Sequence, residues 1–456
     1  MSTKTLPQGN KMGTWPIGKL LMNMALPLVI SMLVQALYNV VDSIYVSRIS
    51  ESAVTALSLA FPIQNLLIGC ATGVGVGVNS LLSKSLGEQN YERANRTAGN
   101  GFLLSCLFSI GFVIFGLFFA RPFFATQTTV AETLDGGSTY LAIVTIGSIG
   151  IFIEILFERF LQASGNAFQS MITQATGAII NIILDPILIF GWFGLPAMGL
   201  AGAALATVIG QWIAAILAMG LNLKYNKELK LLRKHAKPDR YVIRTILSIG
   251  VPSIIMVGIG SVMNFGINQI LQGFSETATG VFGIYFKLQS FFFMPLFGIN
   301  NAVISIVAFN YGARNPDRML KTVKTAAIAG LGIMLTGLAA FQLIPEVLLS
   351  LFDPSAEFMA MAVRALRTIS WCFPVAAVCI ILGSTFQALG TGIYSTIVSL
   401  CRQLVMLLPA AWLLSRSGDV NLVWWAWPIA ETMGLTLTVF FFLRNYRQRI
   451  KPLYEN

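Results

Sequence analysis

Hydrophobic residues in this chain do not alternate or recur on one helical face. They fill uninterrupted runs, and short polar stretches separate one run from the next. A run of about 20 apolar residues lets an α-helix cross roughly 30 Å of hydrocarbon. The pattern predicts twelve such helices, near 20–46, 53–82, 96–119, 138–158, 168–191, 197–221, 243–271, 279–308, 322–344, 357–383, 392–415 and 421–443.

Composition agrees with this pattern: 55% of the 456 residues are hydrophobic and 11% are charged, against about 25% charged in a soluble domain. The expected molecule is an all-α polytopic membrane protein. Most of the 30 Lys and Arg fall on one side of the predicted spans, which places both termini in the cytoplasm. The other side carries Glu51, Glu132, Asp135, Glu276, Glu346, Asp353, Glu357 and Asp419. The net charge of +11 therefore reflects topology rather than a nucleic-acid surface, and the basic stretch KYNKELKLLRKHAKPDR is the cytoplasmic positive bias, not a dedicated lipid site. The polar start of the chain does not resemble a cleavable signal peptide. All five Cys lie in predicted helices, so no disulfide framework is expected.

The chain repeats itself. Residue i set against residue i + 225 pairs Pro27 with Pro252, Asn39 with Asn264, Ser50-Glu51 with Ser275-Glu276, Phe61 with Phe286, Gln64 with Gln289, Gly73 with Gly298, Gly87 with Gly312, Asn90 with Asn315 and Arg93 with Arg318, and LQASG (161–165) with FQALG (386–390). The offset needs no gap. Two six-helix bundles follow, related by a pseudo-two-fold axis along the membrane normal, because an even number of helices makes both run the same way. The expected division is an N-terminal lobe over 1–221, a cytoplasmic linker over 222–242 and a C-terminal lobe over 243–456. In the repeated elbow GEQNYER/GARNPDR, Gly87 and Gly312 are expected to end a helix in the left-handed region, with Asn90 and Asn315 capping the next. Pro316 suits the first helical position, and Glu92 or Asp317 the positive end of the helix dipole.

Polar residues inside such helices are costly and mark function. The first half has Asp42 in helix 1 and Asp185 in helix 5; their repeat partners are Ile267 and Ala410, so neither acid belongs to the shared scaffold. Counting from the cytoplasmic ends, they lie about 35 Å and 24 Å along their helices, in the outer half. Asn181 is one turn before Asp185 and shares its face, while Pro186 frees the Ile182 carbonyl. Pro27 likewise permits a bend in helix 1. Two carboxylates in one cleft titrate as a coupled unit, and the same oxygens suit Na⁺; the pattern leaves both ions open. In the second half Arg402 and Glu431 are positioned to pair, whereas Lys287 has no evident partner and suits an anionic group or the cavity potential.

The repeat, the elbow GEQNYERA, the stretch YFKLQSFFFMPLFGINN and the motif NIILDPILIFG resemble the MATE (multidrug and toxic compound extrusion) family, with the bacterial DinF-like and MepA-like branches the most similar. The resemblance spans about 20–445. It implies cation-coupled export of bulky cationic and amphipathic drugs across the bacterial cytoplasmic membrane, by alternating access and as a monomer. It places cation coupling, or a Na⁺ site, on Asp42, Asn181 and Asp185; a hinge on Pro27; a cavity position on Tyr140; and a helix 6 hydroxyl on Thr207. Asn39, Asn264 and Lys287 join these as candidate cavity or gating residues. The NorM-like branch keeps acids in helices 7 and 10, where this chain has Asn264, Asn268, Gln269 and Cys379 instead.

Three function classes can be weighed. A secondary antiporter needs intramembrane acids, no nucleotide site and no cofactor beyond H⁺ or Na⁺, as found here. A flippase for lipid-linked saccharides requires basic residues along its cleft, and Lys287 and Arg402 keep that alternative in view. A membrane enzyme needs a catalytic set, yet the lone His235 has no HExxH or Cys-His context. GVGVGVN (73–79) lacks the Lys-Ser/Thr of a phosphate loop and reads as close helix packing. VWWAWP (423–428) reads as an interfacial aromatic belt.

Overall fold

The computed structural model describes residues 10–230, 235, 237–352 and 355–455. Asp353 and positions 231–234 and 236 of the linker lie outside the described residues. Among the described residues eleven helices are long and apolar enough to cross a membrane, or twelve when one bent pair counts as a single span. In chain order they are α1 (Ile17–Ser47), α2 (Glu51–Gly87), α3 (Tyr91–Phe118), the bent pair α4 (Ala131–Ile146 and Ile149–Ala163), α5 (Ala167–Phe190), α6 (Leu200–Tyr225), α7 (Arg240–Gln272), α8 (Glu276–Gly312), α9 (Pro316–Leu343), α10 (Ala356–Ala388), α11 (Gly392–Ser415) and α12 (Val420–Glu455). All twelve predicted spans have a counterpart. The five cysteines are free.

The repeat in sequence is a repeat in hydrogen bonding. Ser50 and Ser275 cap α2 and α8 by accepting from Ala53 and Ala278 N–H, each at 3.1 Å. Asn90 and Asn315 cap α3 and α9 by accepting from Arg93 and Arg318 N–H at 3.0 and 3.2 Å. Such caps satisfy amides that a helix start leaves orphaned. The guanidinium of each capped arginine then reaches back one elbow: Arg93 Nε donates to Ser85 Oγ at 2.9 Å and Arg318 Nε to Asn310 Oδ1 at 3.1 Å.

The elbow glycines depart from the expectation. Gly87 and Gly312 are buried, helical residues, and the left-handed backbone falls instead on Gln89 (φ 58°) and Arg314 (φ 54°). Glycine is required at 87 and 312 for space: a Cβ on Gly87 would collide with the Phe309 carbonyl, and one on Gly312 with the Lys84 carbonyl. The seam between the halves continues along two crossings of the same kind. Gly73 of α2 packs on Gly250 and Ile254 of α7, and Gly298 of α8 packs on Leu28 and Val29 of α1. Small residues let membrane helices approach at backbone distance, where dispersion and weak polar contacts replace the hydrophobic drive that lipid cannot supply.

The elbow end is closed by polar contacts across the seam. Ser305 Oγ donates to Asn79 Oδ1 at 3.0 Å, and Ser80 Oγ to the Gln387 carbonyl at 2.8 Å. A short helix before α1, Lys11–Thr14, lies over the second half: Arg318 donates to the Met12 and Trp15 carbonyls at 2.9 and 2.8 Å, and Met12 is fully buried. The segment before α7 docks on the first half in turn. Asn100 Nδ2 donates to the Lys237 carbonyl at 3.2 Å, Arg96 pairs with Asp239 at 3.3 Å, and His235 donates from Nδ1 to the Lys230 carbonyl at 2.9 Å. Further from the elbows the same seam helices expose Asn39, Phe61, Phe265 and Lys287.

Candidate functional site

α5 and α6 cross where Gly177 and Gly210 meet, each with the other's carbonyl within 3.3 Å of an added Cβ. One turn further along α5, this close crossing sets Asn181 against Thr207. Assigned from its surroundings so that each end meets a partner of the opposite kind, the carboxamide of Asn181 bridges two groups: its Nδ2 donates to Asp185 Oδ2 at 2.9 Å, and its Oδ1 accepts from the Thr207 hydroxyl and N–H at 3.2 and 3.0 Å. Asp185 is wholly buried, and its second oxygen, Oδ1, has no hydrogen-bond partner among the described residues. A buried carboxylate oxygen left unpaired is expensive, which sets Asp185 apart from an acid that only ties two helices together.

α1 supplies the other wall. Tyr38 Oη lies 3.5 Å from Thr207 Oγ1, and Asp42 follows one turn later on the same face. Asp42 is half-buried, and its carboxylate is within electrostatic reach of Asp185. Tyr140 of α4 is within electrostatic reach of both acids and donates to Gln64 of α2 at 3.4 Å. Nearer the elbows α1 is tied to α5 through Gln174, which donates to Gln35 at 3.2 Å and accepts from Ser31. Pro27 sits just below these bonds, and α1 runs through it as one continuous helix.

The structure thus gathers Asp42, Asn181, Asp185, Thr207 and Tyr140 in one pocket of the first half. Asn39 lies on the exposed side of α1, toward the open part of the seam, while Asn264 and Lys287 stand on the second half. Arg402 and Glu431 form the ion pair that their positions suggested, at 2.9 Å. Lys287 is exposed and makes no hydrogen bond or ion pair among the described residues.

Four polar residues that run from this pocket toward the elbow end are not singled out by the sequence reading. Tyr38 stands one position before Asn39. Glu154 and Glu158 stand in the last turns of the predicted fourth span, 138–158, and Arg159 falls just past its end; in the structure α4 continues to Ala163, and Glu158 and Arg159 are 6% and 7% exposed. The signal was present: two acids four residues apart in IFIEILFERF share a helix face inside an apolar run.

Comparison with known proteins agrees with both the fold and the repeat. The MatE family model matches residues 27–187 and again 252–413, two segments whose starts differ by 252 − 27 = 225. The chain is 27% identical to the multidrug export protein MepA of Staphylococcus haemolyticus (strain JCSC1435) over 94% of each chain. It is 26% identical to the probable multidrug resistance protein YoeA of Bacillus subtilis (strain 168) over 90% of each. An outward-facing multidrug resistance MATE family transporter of the MOP superfamily superposes with a TM-score of 0.91 at 25% identity, over 99% of this chain and 100% of the other. The family model covers most of both halves, so this chain belongs to the MatE family and is a membrane transporter rather than an enzyme.

Proposed function

We propose that the protein is a secondary active multidrug exporter that antiports bulky cationic or amphipathic compounds against H⁺ or Na⁺. The observation that carries this reading is the buried Asp185, held by Asn181, with Asp42 close by and with both acids confined to one half. Carboxylate, carboxamide and hydroxyl oxygens make a hard donor set suited to a proton or an alkali cation. The names of the MepA and YoeA relatives support the substrate class.

The lobes 1–221 and 243–456, joined by the linker 222–242, move about the seam, and one copy suffices because a single chain supplies both walls. The chain sits in the bacterial cytoplasmic membrane with both termini and the elbows on the cytoplasmic side. With the carboxylates charged, the pocket holds cation and water. With them neutral, they hydrogen-bond one another or Asn181, and the outer arm of α1 closes inward about Pro27. Substrate loses its space and its counter-charge together. A ligand can shift such an equilibrium only by its differential affinity for the two shapes. Against a flippase, Arg402 is already neutralised by Glu431.

The test is uptake of a cationic dye into proteoliposomes under an imposed proton or sodium gradient. Dye movement driven by either gradient, and abolished by its collapse, is the expected result. Dye movement indifferent to both gradients would overturn the proposal.

A further inference from the structure

The acids of α4 line up with α5 turn by turn. Glu158 Oε1 accepts from Thr173 Oγ1 at 3.1 Å. One turn on, the Glu154 carboxylate lies against Gly177, its Oε1 3.5 Å from where a Cβ would stand. Positions 173, 177, 181 and 185 follow one another at helical spacing on one face of α5, so the column that begins at Asp185 continues through Asn181 and Glu154 to Glu158. It extends toward the elbow end through Ser170, which accepts from Gln162 at 2.9 Å, and Gln162, which accepts from Arg159 at 2.8 Å.

A second observation bears on the same place. On α6, Trp212 packs against Gly150 of α4 and Ala214 against Gly177 of α5. Gln211, between these two directions on the helix, is therefore on the side of α6 turned toward α4 and α5. Its Oε1 is inaccessible and has no donor among the described residues. An orphaned acceptor on that side of the helix calls for a donor, and a carboxylic acid O–H is one.

We infer that Glu154 is a second proton-carrying carboxylate of the first half, linking the Asp42/Asp185 pocket to the elbow end through the polar column of α4 and α5. This rests on the exporter reading with H⁺ as the coupling ion. A proton leaving Asp185 breaks one O–H there and a proton reaching Glu154 forms one there, so the charge of the column is conserved; over the roughly 12 Å of α5 between them the carrier is water, because the Asn181 carboxamide keeps its own hydrogens. The titratable groups nearest Glu154 are Glu158 on its own helix and Tyr38 on α1; Asp42 and Asp185 lie further along the column, Arg159 is turned toward Gly75 of α2, and the residue of α6 on this side, Gln211, is neutral. The stretch of α2 that packs on α4, around Gly75, is uncharged. Arg159 offsets one of the two α4 acids, which leaves the other free to change charge without a fixed partner.

The experiment counts protons released when ethidium binds the purified full-length transporter in weakly buffered detergent solution. Glu154→Gln should release about one proton fewer than wild type, as expected when one member of a coupled set is removed. Glu154→Asp, which keeps the carboxyl, should restore the count and the infrared band of a protonated carboxyl lost in Glu154→Gln. An unchanged count in Glu154→Gln, with Asp185→Asn lowering it, overturns this inference and leaves the exporter reading standing. No release from wild type overturns proton coupling and this inference together.

Discussion

Gly87 abuts the carbonyl of Phe309, and Gly312 abuts the carbonyl of Lys84, one contact seen twice across the pseudo-two-fold axis. The ends of α2 and α8 touch backbone to backbone there and seal the elbow end. Gly87→Ala and Gly312→Ala should each force that seal apart, at the roughly 1–3 kcal/mol typical of overpacking. Spin labels at Tyr91 and Lys321 should report longer distances in both variants, by similar amounts. Unchanged distances would show that the contact does not hold the end closed.

Asp185→Asn keeps the volume of the side chain but cannot exchange a proton or offer a second anionic oxygen. It should be produced and folded like wild type, while gradient-driven dye export falls to the level of vesicles without protein. Export at the original rate would remove Asp185 from the coupling machinery.

The two halves should respond differently to neutralisation. Asp42→Asn should cripple export. Glu431→Gln should instead lower thermal stability, because it strands Arg402 in a bundle, a loss on the order of 3 kcal/mol for a partly buried pair. Transport per unit of folded protein, measured for both, decides the matter; the reverse pattern moves coupling to the second lobe.

The bend about Pro27 can be followed from Ile44, exposed on the outer arm of α1, to Ile183, exposed on α5. Acidification should shorten the distance between labels at these sites, and bound dye should lengthen it. The pH response should be blunted in Asp42→Asn. A distance insensitive to pH in the wild type rules out the bending mechanism.

Outside the membrane, Asp239 caps α7 by accepting from the Tyr241 and Val242 N–H groups at 3.0 and 3.2 Å. Those amides, the Val242 N–H foremost, and the Arg96 guanidinium hold its carboxyl below the usual carboxylate range. A depressed folded value means the contribution is complete at neutral pH and fades as pH falls through that lowered value. Asp239→Ala should cost about 1 kcal/mol at neutral pH by thermal unfolding, and the gap to wild type should close in acid. A gap that persists there would assign the effect to packing.

Much of this was legible in the order of residues, because a lipid solvent leaves few options. Apolar runs must become helices, and a constant offset of 225 must become a repeated fold. Asp42 and Asp185 stood out because intramembrane acids are rare. What stayed hidden was distance. Gly87 has the features of a helix terminator in sequence, and only the approach of Phe309 from a chain segment more than two hundred residues away shows that it serves close packing instead. Glu154 and Glu158 lie inside the predicted fourth span but close to its end, where a charged residue looks the same whether it is solvated or buried. The 44° bend in α4, with Gly147 and Ser148 at its break, left no proline to announce it.

The parallel sense of the repeat has a kinematic consequence. In a transporter built from inverted repeats, letting the halves trade shapes turns the molecule over, so the opposite-facing form is already implicit in the first. Here a trade of shapes about an axis along the membrane normal returns a molecule open to the same side. Alternation cannot come from the halves exchanging roles. It must be supplied by flexure within a half together with rocking of the halves about their seam, and the breakable places are few: the proline of α1, the discontinuity of α4 and the glycine seam that only one of the two orientations keeps shut.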